Sequence, residues 1–177
     1  MAGERKTGGG NRGVLWRGKR PNAALRIGLR LPVYLYRYGL GWLLGHRFLL
    51  LVHVGRRSGR VHQTVLEVLL YDPGTRESVV LSARGKRADW YRNIEAHPAL
   101  EVRTGRERYV PAHRVLSAEE SYVALTEYAV RHPLAARVLA AAFGAQAIRS
   151  PEVQREFARS ATLVAFRPRG PEASGAG

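Results

Sequence analysis

Apolar and polar positions follow different periods in successive parts of the chain. Residues 1 to 20 set few apolar side chains among Gly, Lys and Arg, too few to offset the entropy of ordering, and read as a disordered basic tail. From Ala23 to Leu51 the chain turns apolar, with Arg26, Arg30, Arg37 and Arg47 interrupting it. At about 100° per residue Arg26, Arg30 and Arg37 share a narrow sector, while Leu31, Tyr34, Leu35, Tyr38, Leu40, Trp42 and Leu43 spread over the opposite side. This predicts an amphipathic helix over 21–47, started or kinked at Pro32. No uncharged stretch approaches the roughly 20 residues that a spanning helix needs. The basic stripe opposite a Tyr- and Trp-edged apolar face suits a helix lying in an anionic membrane interface, or one packed on its own domain.

Strand-like runs follow at Phe48 to Val54, Thr64 to Tyr71, Ser78 to Ala83, Leu100 to Thr104, Arg108 to Val115 and Thr162 to Phe166. Asp72-Pro73-Gly74 and Thr104-Gly105-Arg106 are turn signals between such runs and predict hairpins. A short helix is expected from Trp90 to Ala96, capped by Asp89 and ended by His97-Pro98. Ser117-Ala118-Glu119-Glu120 is a capping box opening a helix from Ala118 to Arg131, which His132-Pro133 breaks. A helix over Leu134 to Phe143 and another from Ser150-Pro151 to near Arg159 precede the last strand. The expectation is one mainly β domain with flanking helices, a small barrel or sandwich over 48–168, and a tail over 169–177.

Composition narrows the function. A chain that is 45% hydrophobic in 177 residues can bury a core. Without cysteine, disulfides and thiolate catalysis are excluded and the reducing cytoplasm is the natural compartment. The histidines at 46, 53, 62, 97, 113 and 132 lack the short spacings of paired ligands, so no metal site is expected. The net charge of +15 rests on arginine and admits nucleic acid, an anionic membrane face or a polyanionic small ligand. The strands lack the aromatic pattern of single-strand binders, which argues against nucleic acid. No GxSxG elbow, Walker loop, HExxH pair or GxGxxG fingerprint between a strand and a helix occurs, so any chemistry must come from a bound cofactor.

Two basic loops carry the candidate chemistry. The first is Gly55-Arg56-Arg57-Ser58-Gly59-Arg60, the second Arg84-Gly85-Lys86-Arg87, one hairpin later. At strand ends, backbone N–H groups and guanidinium forks can grip phosphate or carboxylate at two points. Trp90 either packs in the core or forms a cofactor platform.

These loops, the strand-hairpin-strand between them, the Ser82-Ala83-Arg84-Gly85 turn and the WYRNIEAHP segment at 90–98, in this order and spacing, resemble the deazaflavin-dependent nitroreductase family, F420H2-dependent quinone reductase-like proteins. The resemblance runs from about Gly39 to Phe166 and implies an FMN-binding-like split β-barrel using coenzyme F420. By position it assigns Arg56, Arg57 and Ser58 to the cofactor's phosphate side chain, and His62, Gln63, Thr64, Val65, Leu66 and Glu67 to a strand lining it. Leu81, Ser82, Ala83 and Arg84 become a second phosphate and ring contact, and Asp89, Trp90, Tyr91, Arg92 and Asn93 the helix start closing the site. A phosphodiester and a chain of glutamates call for convergent cations, and Arg60, Lys86 and Arg87 add to those available. Departures lie near the ring: Glu67 stands where the family's best-known nitro-drug reductase has tyrosine, and Ala83 where it has serine. His132, Ala135 and Val138 replace three tyrosines of its substrate lid.

The implied function is an F420-dependent reductase passing hydride to a quinone, activated alkene or nitro compound, with His132 either the proton donor or a helix-end hydrogen-bonding group. An FMN oxidoreductase on the same barrel and a non-catalytic F420 carrier are the alternatives. The expected location is cytoplasmic, or peripheral on the inner face of the cell membrane.

Overall fold

The computed structural model describes residues 34–36, 38, 40–143 and 151–170. The expected tail over 1–20, the stripe of Arg26, Arg30 and Arg37, and residues 171–177 lie outside that set. The elements run β1 (Phe48–Val54), β2 (Val61–Asp72), β3 (Glu77–Ser82), α1 (Asp89–Ala96), β4 (Glu101–Thr104), β5 (Glu107–Tyr109), β6 (Pro111–Val115), α2 (Ala118–Arg131), α3 (Pro133–Phe143), α4 (Pro151–Ser160) and β7 (Thr162–Pro168).

The strands pair antiparallel in the order β5-β4-β1-β2-β3-β7-β6. β5 and β6 are the two ends of this order, yet only Val110 separates them in the chain. The sheet must therefore curl until its ends meet, which makes a nearly closed barrel. β2 serves both halves, pairing β1 through Val61 to Glu67 and β3 through Val68 to Asp72, with a register shift between Val68 and Leu70 that lets it bend.

Strand alternation sorts side chains into two cores. Inward go Leu49, Leu51, Val68, Val80, Val102, Val164 and Phe166, closed over by Trp90, Tyr91 and Ile94 of α1. Outward go Leu69, Val79, Leu163 and Ala165, packed under Ala124 and Tyr128 of α2 and Ala136 of α3. α1 thus plugs the interior, while α2 and α3 cover the wall.

Most turn and cap signals act as the residues predict. Asp72 accepts from the Gly74 N–H and the Thr75 hydroxyl at 2.9 and 2.6 Å, holding the β2–β3 turn. Gly105 at φ +54 takes the first place of the two-residue β4–β5 turn, where an L side chain would be strained. Ser117 and Glu120 exchange both bonds of the capping box, at 3.2 and 2.8 Å.

Other expectations are corrected. The single strand over Arg108 to Val115 is two strands on opposite edges, because Pro111 has no N–H for a continuous ladder and the chain turns at Val110 into a new pairing. β2 begins three residues before Thr64, since a partner strand extends the ladder beyond the apolar alternation. Asp89 does not cap α1: Ala88 is the N-cap and makes no side-chain bond, and the Asp89 carboxylate goes to Arg56 instead. The end of the predicted amphipathic helix, Gly41–Arg47, is a 3-10 helix broken at Gly45, whose carbonyl accepts from Gly105 N–H at 2.8 Å. Tyr36 fastens the same segment by donating to the carbonyls of Phe48 and Arg103, and its ring leaves Gly41 no room for a Cβ.

Candidate functional site

A groove of about 430 Å³ opens between the β1–β2 loop and the N-terminal end of α1. Its lining joins His53 of β1, Gly55, Arg56, Arg57 and Ser58 of the loop, His62, Gln63 and Thr64 of β2, and Asp89, Trp90 and Asn93 of α1. The loop is compact because Gly55 N–H donates to the Arg60 carbonyl and Gly59 N–H to the Gly55 carbonyl, both at 2.8 Å. Gly59 sits at φ +64, and a Cβ on Gly55 would stand 2.6 Å from Ser58 Oγ and 2.8 Å from His62 Nε2. Both glycines are therefore required by the turn.

The adjacent arginines Arg56 and Arg57 do different work. Arg56 is committed internally: its guanidinium donates to Asp89 Oδ1 at 3.1 to 3.2 Å and to Asn93 Oδ1 at 3.0 Å, and its backbone N–H reaches Asn93 Oδ1 at 3.1 Å. It clamps the loop to α1. Arg57 is exposed and has no carboxylate partner among the described residues, and the same holds for Arg60, Arg84, Lys86 and Arg87. By contrast Arg47, Arg76, Arg103, Arg108, Arg114, Arg131 and Arg159 each face a carboxylate. Five cations without a carboxylate partner thus gather on the two loops that flank α1's N-terminal end, the 84–87 loop leading through a 3-10 turn into Asp89, whereas Arg92, Arg106, Arg137, Arg155 and Arg167, also without one among the described residues, are spread over other elements. The clustered positive charge favours anions at this end of α1.

The other residues expected to line a site fall outside this groove. On β2, alternation turns Leu66 toward the inner core, while Gln63, reaching the groove at its rim, shares the outer face with Val65 and Glu67. Leu81 packs with the outer core and Ser82 is buried, donating to the Gly85 carbonyl at 2.7 Å. Ala83 and Arg84 are exposed in the turn after β3, and Arg92 is exposed on α1. Tyr91 is buried in the inner core, while Trp90 both packs there, beside Phe166, and lines the groove.

His132 lies at the α2–α3 corner in a cluster with Glu67. The Arg47 guanidinium donates to His132 Nδ1 at 3.2 Å and to Glu67 Oε1 at 3.3 Å, and the Tyr128 hydroxyl donates to the same oxygen at 2.8 Å. Burial, then the Glu67 charge, raises the Tyr128 hydroxyl well above its ordinary value, so it stays a donor. Ala135 is half-buried beside this corner, and Leu134 and Val138 are exposed there.

His53 is a groove residue that the motif reading missed. The available signal was His53 as the lone ionisable side chain in the apolar run of β1, in step with inward-facing Leu49 and Leu51. It is buried, hydrogen-bonded to Asn93 and Thr64, and paired across the ladder with His62, whose ring centroid is 5.9 Å away. Burial and then the neighbouring His62 hold its pKa below the ordinary 6.5. Between that lowered value and 6.5 the unfolded chain binds more protons, so this group's contribution to stability is complete above pH 6.5 and is lost as pH falls through the window. Urea unfolding at pH 7.5 and about 5.5 should show a decrease that His53→Gln removes, above the range where carboxylates titrate. An equal decrease in both proteins would assign the loss to other groups.

A family model described as F420H(2)-dependent quinone reductase matches residues 34–136, more than half of the 177-residue chain. Among solved structures, one described as an F420-H2 dependent reductase (FDR-A) is 18% identical, covering 70% of this chain and 96% of that chain, with a TM-score of 0.46. The heme storage protein HutZ from Vibrio cholerae is 13% identical, covering 77% and 92%, also at 0.46. ChuZ of Campylobacter jejuni is 10% identical, covering 87% and 65%, at 0.42. No curated protein matches.

Proposed function

The chain belongs to the F420H(2)-dependent quinone reductase family, and from that premise we propose that its two basic loops hold the charged side chain of coenzyme F420 at the start of α1 while β2 leads toward the His132 corner. The protein is an F420H2-dependent oxidoreductase. The observation that carries the site assignment is the cluster of exposed cations without carboxylate partners on the two loops beside α1, Arg57 lining the groove that Arg56 has already rigidified and Arg60, Arg84, Lys86 and Arg87 standing on the loops next to it. Such a set fits a phosphodiester followed by glutamates, because each guanidinium can form two-point contacts with an anionic oxygen pair.

When bound, the reduced deazaflavin supplies the hydride. The chain supplies orientation and proton management. Gln63, Val65 and Glu67 form a strip on the outer face of β2, about 13 Å long at roughly 3.3 Å per residue, running from the Arg57 loop toward His132. At its far end Glu67 is held by Arg47 and Tyr128. Arg47 can only donate, so His132 Nδ1 must accept and Nε2 carries the proton in the neutral ring. That N–H is the candidate donor for the proton accompanying hydride transfer, and water can replace it. Ala135, with exposed Leu134 and Val138, gives an open apolar mouth suited to a quinone, activated alkene or nitro compound.

Purified protein titrated with F420 and with FMN should bind F420 more tightly, with affinity rising with glutamate number if Lys86 and Arg87 reach the tail. Tighter binding of FMN would overturn the loop assignment.

The reading also places the enzyme in the cytoplasm, at the inner membrane face. Tyr34, Tyr38, Leu40, Trp42 and Leu43 expose apolar and aromatic surface beside the barrel, and no described helix is long and apolar enough to cross a membrane. Full-length protein should sediment with anionic vesicles at low salt and be partly released at high salt, since salt screens the charge contribution and leaves apolar contact intact. No sedimentation at low salt would mean that this surface is covered within the protein.

A further inference from the structure

A line of hydrogen bonds along the groove has its direction set from one end. The Arg56 backbone N–H and guanidinium can only donate, and both reach Asn93 Oδ1, at 3.1 and 3.0 Å. This orients the amide, so Asn93 Nδ2 is the donor to His53 Nδ1 at 3.2 Å. His53 Nδ1 must then be bare. A neutral imidazole carries one N–H, which is therefore on Nε2 and is donated to Thr64 Oγ1 at 3.1 Å. The Thr64 hydroxyl accepts from His53, and its own hydrogen has no other partner among the described residues. Thr64 lines the groove and is half-buried, so that hydrogen can be directed at a ligand.

We propose that the line from Arg56 through Asn93 and His53 holds Thr64 as a hydrogen-bond donor, and that Thr64 donates to an anionic oxygen which Arg57 draws into the groove. A threonine hydroxyl free to rotate offers either a hydrogen or a lone pair. With the His53 N–H occupying it, this one favours a group that only accepts, as a phosphate or carboxylate oxygen does. The inference rests on the reading of the groove as the F420 site and gives Thr64, already placed on the lining strand by the resemblance, the task of selecting by hydrogen-bond polarity where Arg57 selects by charge. His53 and Asn93 are positioning residues in this scheme.

Two measurements on the full-length protein test it. Long-range proton–nitrogen NMR of the ligand-free protein above pH 7.5 should show His53 as the Nε2–H tautomer; an Nδ1–H signature would overturn the proposal. Equilibrium titration with F420 should show Thr64→Val weakened about tenfold, because a donor to a charged oxygen is lost while the β-branched shape is kept, and Thr64→Ser within about twofold of the parent protein. Loss of affinity in Arg57→Glu with none in Thr64→Val would overturn the role of Thr64 and leave the groove assignment standing. No loss in either variant would remove both. The deazaflavin nucleoside without phosphate or glutamates should bind Thr64→Val and parent protein equally; a tenfold difference there would overturn the anionic-oxygen assignment.

Discussion

Arg57→Glu should bind F420 more than tenfold more weakly than the parent protein while unfolding at the same denaturant concentration. Losing one charge-assisted pair costs roughly 1.5 to 3 kcal/mol, and a reversed charge beside Arg60 and the 84–87 loop adds repulsion toward the ligand. The fold should not notice, because Arg57 is exposed and has no carboxylate partner among the described residues. Arg56→Ala is the opposite case. It removes the bonds to Asp89 and Asn93, so stability and affinity should fall together as the loop detaches from α1. Added salt should shrink the difference between Arg57→Glu and the parent protein, since exposed charges are screened within about 10 Å at 0.1 M. Unchanged affinity in Arg57→Glu would take this loop out of the cofactor site.

Phe166→Ala should lower unfolding free energy by about 3 to 5 kcal/mol, the usual cost of emptying a fully buried aromatic position. Phe166 is 0% exposed and lies where β7 faces α1, with the Trp90 ring centroid at 6.3 Å and that of His113 at 6.2 Å. The residue joins the strand to the helix that starts the groove, so the cavity should also loosen Trp90. Against a typical domain stability of about 5 to 15 kcal/mol, such a loss leaves a marginal protein. Leu134→Ala, at a position 75% exposed, should change stability little. Urea unfolding of both variants checks this, and a loss below about 1 kcal/mol for Phe166→Ala would mean that the barrel refills the space.

Locally encoded features were legible in the sequence. Asp72-Pro73-Gly74, Gly105 and the Ser117–Glu120 box act within a few residues of themselves, through side-chain bonds to nearby backbone or a positive φ, so their signals survive folding unchanged. The loop at 55–60 was legible for the same reason, since its turn depends on its own glycines. Alternation likewise marks which β2 residues share a face, but the groove takes the consecutive residues His62, Gln63 and Thr64, so position along the strand and not its alternation sets which part of the segment from His62 to Glu67 lines it.

What the tertiary structure decided was partner choice between distant segments. Pro111 marks a break within Arg108 to Val115, but nothing there says that its two halves become the opposite edge strands, one pairing with β4 and the other with β7; barrel closure imposes that. Arg56 and Arg57 are adjacent and alike in sequence, and only the arrival of Asp89 and Asn93 on α1 makes one a clamp and leaves the other for a ligand. His53 interrupts an otherwise apolar strand, and only Asn93, 40 residues away, gives its ring a direction and Thr64 a task. Burying a donor or acceptor is costly unless a partner meets it, and for these side chains the partner comes from another element, where the local sequence carries no record of it.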